Sequence, residues 1–243
     1  MKTIKRIAGF SVVFLVLSLA HAQSFVNLNF ESANVPASGL EPYGTFVPIT
    51  SALPGWTAYL GPQQITQVGY NSPTLGTATV SLIGPTWNSS DTSTYLAGII
   101  DGNYSVDLQT GVGPPSYTGG ENVSIAQNGT VSSTAQSIQF EAFELTPLTV
   151  SFNGNFLSPV ALSSGTSPDG LPYTLYGANI APWAGVYGEL EFTADFNGSF
   201  NNVVLDDIAF SPNAVPEPSI VALTAIGGIL FGARKCFARR GCL

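Results

Sequence analysis

Between Ala22 and Ala233 the chain contains no Lys, Arg, His, Cys or Met. A fold built from this stretch has no Lys or Arg salt bridge, no disulfide and no imidazole. Its fifteen Asp and Glu side chains must find hydrogen-bond donors, water or metal cations instead. The same absences remove whole classes of chemistry. A Ser-His-Asp triad, a Cys-His pair and a Lys Schiff base all need missing residue types. So do the usual zinc and copper sites. Phosphoryl transfer lacks a side-chain cation, and no Gly-rich nucleotide loop follows a strand. An acidic surface without Lys or Arg repels nucleic acid and anionic lipid. Only carboxylate chemistry, as in glycoside hydrolysis, stays open to it.

The basic residues are all at the two ends, each group beside an apolar run. Lys2, Lys5 and Arg6 precede the apolar segment Ile7 to Leu19, and Ala20-His21-Ala22 is an A-x-A-like cleavage site. This three-part order predicts a signal peptide over residues 1–22 and a mature start at Gln23. At the other end, Ser219 to Ala233 is an apolar run of 15 residues, followed by Arg234, Lys235, Arg239 and Arg240. As a helix it rises ~22 Å. That is short for a ~30 Å hydrocarbon core unless the flanking basic side chains snorkel. The positive charge after the run favours a cytoplasmic tail, which leaves the region between the two ends outside the membrane.

Val215-Pro216-Glu217-Pro218-Ser219, the short apolar run and the basic end together resemble the PEP-CTERM sorting signal of Gram-negative bacteria. The resemblance covers about residues 214–240. It departs in Cys236, in the spacing of the basic pairs and in the terminal Gly241-Cys242-Leu243. It implies a single transmembrane sorting helix that anchors the chain transiently in the inner membrane. It also implies signal peptidase and an exosortase as processing partners, final placement at the cell surface or outside the cell, and a link to exopolysaccharide and biofilm. The organisation expected is therefore a signal peptide (1–22), one domain (23–212) and a sorting segment (213–243).

The middle region is rich in Gly, Pro, Asn, Ser and Thr, interspersed with short runs of Val, Ile, Phe and Tyr. Strands are expected over Ser24–Phe30, Thr77–Ile83, Tyr104–Leu108, Asn122–Ala126 and Ser137–Leu145. The pattern continues with Leu148–Phe152, a returning segment through Phe156, Val160 and Leu162, then Gly188–Phe196 and Asn201–Phe210. Asn128-Gly129 and Asn153-Gly154 read as hairpin turns. No convincing amphipathic helix and no internal repeat appears. The expectation is an all-β fold, an antiparallel β-sandwich. Asn27-Leu28-Asn29-Phe30-Glu31 with Leu53-Pro54-Gly55-Trp56, and Leu205-Asp206-Asp207-Ile208-Ala209-Phe210 near the end, resemble galactose-binding-like jelly rolls. Val150-Ser151-Phe152-Asn153-Gly154 and Tyr176-Gly177-Ala178-Asn179-Ile180 resemble segments common in PEP-CTERM proteins that carry such a domain.

A few side chains stand out. On an ideal strand Val204, Ile208 and Phe210 share a face with Asp206. If that face is inward, Asp206 is a buried carboxylate that needs either calcium or backbone N–H groups. The jelly-roll resemblance implies a structural calcium between Glu31 and Asp206. Trp87 and Trp183 are the candidates for stacking on a sugar ring, with packing beneath a loop as the alternative; Trp56 reads as core. Glu141 and Glu144 face opposite sides of a strand, and Glu189 with Glu191 reads as a solvated face. Asn88, Asn103, Asn122, Asn128 and Asn197 begin N-x-[ST] triplets, which a chain of this composition produces readily. These readings lead to a non-enzymatic surface or exopolysaccharide-matrix protein. A carbohydrate-binding module with a defined glycan is the alternative, ahead of a carboxylate glycosidase.

Overall fold

The computed structural model describes residues 24–35, 45–72, 76–87, 97–113, 119–144, 146–168 and 170–215. The signal peptide expected over residues 1–22, and the expected sorting segment from residue 216 onward, lie outside the described residues. No helix among the described residues is long and apolar enough to cross a membrane.

The first strands are β1 (Thr45–Pro48), β2 (Thr57–Leu60), β3 (Gln63–Ile65), β4 (Gln67–Tyr70), β5 (Thr79–Ile83) and β6 (Ser105–Gln109). Two short strands, β7 (Gly111–Val112) and β8 (Gly120–Glu121), precede β9 (Val123–Thr130), β10 (Ser137–Glu144) and β11 (Leu148–Phe152). The remainder are β12 (Asn155–Phe156), β13 (Val160–Thr166), β14 (Pro172–Asn179), β15 (Tyr187–Ala194) and β16 (Asn202–Ser211). One helical turn, α1 (Ile49–Ala52), and a 3-10 turn (Ala181–Trp183) interrupt them.

The strands form a sandwich. One sheet has the order β1-β4-β5-β6-β16-β10-β14-β13, and the other β12-β11-β15-β9-β2-β3, with β7-β8 as a small separate ladder. The fold is all-β, as the alternation of turn and strand residues predicts. It is not wholly antiparallel, because β4 and β5 pair in parallel through Gly69–Ser81 and Tyr70–Leu82.

The core lies between the two large sheets. Val80, Leu82, Val106, Leu108, Ile138, Phe140, Val203 and Leu205 point into it from one side. Ala58, Val123, Ile125, Val150, Phe152, Leu190 and Phe192 point in from the other. Phe140 meets Phe192 edge-on across the sheets at 5.2 Å, while Trp56 bridges Phe30 and Phe192. Ile138, Phe140 and Ala142 share the buried face, as their alternation predicts.

Three expectations about elements are corrected. Ser24–Phe30 is not a strand: only Ser24 bridges to Thr130, and Asn27 and Phe30 take positive φ of 52° and 58°. The Asn27 amide accepts from Ser32 N–H and donates to the Pro54 carbonyl, and its own carbonyl accepts from the Trp56 indole. These local bonds satisfy Asn27 without a ladder. Asn128-Gly129 is not a turn but part of the β9–β15 ladder, opposite Glu189 and Gly188. There glycine makes room for a ring, since a Cβ on Gly129 would sit 2.6 Å from the Phe25 ring. Asn153-Gly154 is a two-residue turn with φ of 48° and 70°, as expected, but the returning strand stops at Phe156. Pro159 lacks an N–H, and the chain resumes as β13 in the other sheet, paired with β14.

Candidate functional site

β1 and β3 are the free edges of the two sheets on one flank of the sandwich. Thr66 alone separates β3 from β4, so the chain steps from one sheet to the other within a residue. Ile49 N–H fixes that step by donating to the Thr66 carbonyl at 3.0 Å. Val47 and Val68 pair and turn inward, which leaves Phe46 on the outer side with 61% of its surface exposed. The result is a cleft of about 400 Å³ lined by Phe46, Leu60, Gln63–Gln67, and Thr77–Val80. Its polar groups are amides and hydroxyls, and no Asp or Glu is among the lining residues. Chemically it offers neutral donors and acceptors beside one exposed aromatic face. None of these positions stood out in the sequence. The available signal was three glutamines within five residues, Gln63, Gln64 and Gln67.

The second organised region is the turn Asp101–Ser105. Glu31 accepts from the backbone N–H groups of Asn103 (2.7 Å) and Tyr104 (2.9 Å) and from the Asn103 amide. Asp206 accepts from Asp101 N–H (3.1 Å), the Ser105 hydroxyl (2.6 Å) and Asp207 N–H. Asp206 is buried on Val204's side, but Ile208 does not share that side as expected. Asp207 takes φ of 43°, and the β10–β16 register slips there, a bulge that breaks the alternation. Val203, Leu205 and Ile208 therefore enter the core while Val204 packs on the outer side under a second apolar cluster with Ile100 and Leu171. Asp206 lies on Val204's side. Burial pushes its carboxyl up to about 7, against the opposing effect of its three donors.

A calcium ion shared by Glu31 and Asp206 does not fit this arrangement well. Calcium takes six to eight oxygen ligands, whereas N–H and O–H donors address all four carboxylate oxygens. The described residues contain no grouping of three or more acidic, His or Cys side chains suited to a metal. The backbone-donor alternative accounts for Asp206 as placed.

Asp107 lies two residues further along β6 with none of its surface exposed. No donor meets either of its carboxylate oxygens with hydrogen-bond distance and angle. Burial pushes the carboxyl up to about 7, and the Asn202 amide is near enough only to oppose that rise. Among the other acids, Glu141 is pushed upward by burial and by Asp207 and Asp101, with the Tyr173 hydroxyl opposing. Glu144 accepts from the Tyr176 hydroxyl, whose pKa rises to about 12 through burial and that bond. Glu189 and Glu191 share the outer face of β15, half-buried.

The tryptophans are packing residues in this arrangement. Trp87 donates from its indole to the Ala97 carbonyl at 3.1 Å and rests on the outer apolar cluster. Trp183 tilts against Phe152 at 5.9 Å. Neither lines the cleft. Two N-x-[ST] asparagines also have occupied amides, Asn103 on Glu31 and Asn122 on Asp195. At the end of the described residues, the Ser137 hydroxyl donates to the Asn213 carbonyl, and Val215 reaches Gly177 of β14. Pro216, Glu217 and Pro218, with Arg234, Lys235, Arg239 and Arg240, lie outside the described residues.

No protein-family model matches the chain, and no curated protein matches it. Among solved structures it is similar to a carbohydrate-binding module described for specific mannan recognition. That similarity has 13% identity and a TM-score of 0.33, and covers 68% of this chain and 94% of the module.

Proposed function

We propose that this chain is an exported, non-enzymatic protein of the cell surface or exopolysaccharide matrix, and that its sandwich binds neutral glycan in the edge cleft. The cleft carries the reading. Its glutamine amides and threonine hydroxyls match the donors and acceptors of sugar hydroxyls, and the exposed Phe46 ring suits the C–H face of a pyranose. The signal peptide, the Val215–Pro218 motif and the basic tail supply the route: export, transient anchoring in the inner membrane and release by an exosortase. The domain belongs in this reading with galactose-binding-like jelly rolls, and its partners are exopolysaccharide chains. A carboxylate-glycosidase reading draws no support from the cleft, which has no acid among its lining residues.

A glycan array probed with the secreted protein tests the binding claim. Binding to at least one neutral glycan that Phe46→Ala and Gln67→Ala both weaken supports it; no binding across the array sinks it. Mass spectrometry of the secreted form tests the route, and a mature chain still ending at Leu243 contradicts it.

A further inference from the structure

We infer that the edge cleft selects N-acetylated sugars, and that the acetamido group is the part of the ligand that enters it. This rests on the neutral-glycan reading of the same cleft and narrows it. The cleft has two separate apolar elements. One is the exposed Phe46 ring on its outer side. The other is an aliphatic floor of Leu60, Ala78 and Val80, all buried, with the partly buried Ile65 beside them. A plain hexose unit matches only the first. Its C–H face stacks on the ring, and the rest of its rim is hydroxyls. Hydroxyls pressed onto an aliphatic floor lose water without gaining partners, which is costly. A sugar whose substituent ends in a methyl group covers the floor without that cost.

Gln63 decides which substituent fits. On the β2–β3 ladder Gln63 stands opposite Leu60, and Ile65 opposite Ala58. Directly paired residues, and residues two apart on a strand, lie on one face of a sheet. Gln63 and Ile65 therefore project to the side that Ala58 and Leu60 turn toward the core, and the Gln63 amide borders the floor. Gln64 stands opposite Tyr59 on the other face. Gln63 and Gln67 are exposed, and among the described residues neither amide has a hydrogen-bond partner. A carboxamide presents a carbonyl acceptor and N–H donors side by side. An acetamido group presents the complementary pair, an N–H and a carbonyl, with a methyl group beyond them. A deoxy sugar carries the methyl without the amide, and an O-acetyl ester lacks the N–H. Of these three, the acetamido group matches both the floor and the glutamine.

The test titrates the secreted protein with a fully N-acetylated chito-oligosaccharide and a cello-oligosaccharide of equal length. Their sugar units differ only in carrying an acetamido or a hydroxyl group beside the anomeric carbon. Isothermal titration calorimetry is expected to give the N-acetylated chain at least about tenfold higher affinity, the size of one buried methyl plus one net hydrogen bond. Gln63→Ala is expected to cut that preference by about fivefold, the part due to the hydrogen bond, with little change in cello-oligosaccharide affinity. Phe46→Ala is expected to weaken both ligands. Gln63 is exposed on an edge strand, so its truncation leaves the fold intact. Equal affinity for the two chains, both lowered by Phe46→Ala, overturns the acetamido assignment and leaves the neutral-glycan cleft standing. A preference that Gln63→Ala leaves unchanged also overturns it, because the acetamido group then enters elsewhere. Binding of neither chain overturns it as well; only if the glycan array is also blank does the neutral-glycan reading fall with it.

Discussion

Glu31 and Asp206, from opposite ends of the domain, hold the same turn. Glu31 takes the backbone N–H groups of Asn103 and Tyr104, and Asp206 takes that of Asp101 and the hydroxyl of Ser105. Between them Gly102 adopts φ of 60°, and a Cβ there would lie 2.5 Å from a Glu31 carboxylate oxygen. Two carboxylates thus do in this chain what basic side chains and disulfides do elsewhere: they tie distant segments together, with backbone donors as their partners.

The first prediction concerns that clamp. Glu31→Ala leaves two backbone donors without their charged acceptor and is expected to destabilise the domain by about 2 kcal/mol. Gly102→Ala adds a strained φ and a clash with the same carboxylate, for a loss of about 1–3 kcal/mol. Chemical denaturation measures both. Amide hydrogen exchange at Asn103 and Tyr104 separates a loosened clamp from a general loss of stability. Unchanged exchange at those two amides in Glu31→Ala would show that the turn does not depend on Glu31.

A second prediction comes from the bulge. Asp207 is exposed and adopts a left-handed φ that glycine takes without cost. Its backbone N–H bond to Asp206 survives the loss of its side chain. Asp207→Gly is therefore expected to stabilise the fold by about 0.5–1 kcal/mol. Because the Asp207 charge is one of the causes holding the Glu141 carboxyl up, the same variant lowers the Glu141 pKa. Carboxyl NMR titration reads that second effect independently of stability. A destabilised variant would mean that the Asp207 side chain holds the bulge in a way its exposure does not reveal.

The pH dependence follows from Asp107 and Asp206, both pushed up to about 7 by burial. In the unfolded chain each titrates near its ordinary value of about 4. Between the two values the folded state keeps protons that the unfolded state has released. Stability from these groups is therefore complete below about pH 4 and is lost as pH rises toward 7. Each group accounts for up to about 4 kcal/mol of that loss. Denaturation midpoints of chelator-stripped protein across this window should fall with pH, and Asp107→Asn should flatten part of the slope. A midpoint that rises steadily from pH 4 to 7 would contradict the sign.

Much of the β pattern was legible because one face of a strand is buried and the other is not. Ile138, Phe140 and Ala142 alternate with half-buried neighbours, and β10 forms where they fall. Asn153-Gly154 was legible because its turn needs positive φ at both residues. Asn128-Gly129 has the same letters but lies within a ladder, because the ring of Phe25, distant in sequence, occupies the space beside Gly129. Asp206 shares Val204's side, as the alternation places it, but the bulge at Asp207 sends Ile208 to the opposite side, so the carboxylate is buried beneath the outer apolar cluster rather than in the core. Trp87 and Trp183 drew attention by residue type, yet their surroundings are apolar clusters and backbone. The cleft escaped notice because it is made by two sheet edges meeting. Which edges meet depends on strand order, and strand order is not written in any local pattern.

The last prediction concerns the charge of the ligand. The region between Ala22 and Ala233 carries fifteen acidic side chains and no basic one. Its field repels polyanions, and repulsion between exposed charges is screened within about 8 Å at physiological salt. A cleft lined by amides and hydroxyls adds no local positive charge to offset this. Uncharged polysaccharides such as glucans or galactans are expected to bind with an affinity nearly independent of salt. Uronate-rich polysaccharides are expected to bind at least about tenfold more weakly at low ionic strength, and to recover part of that loss as salt is added. Affinity electrophoresis over a salt series, with Phe46→Ala as the control for cleft binding, provides the comparison. Tighter binding of the uronate polymer at low salt would mean that the electrostatics of the binding surface are not those of the domain as a whole.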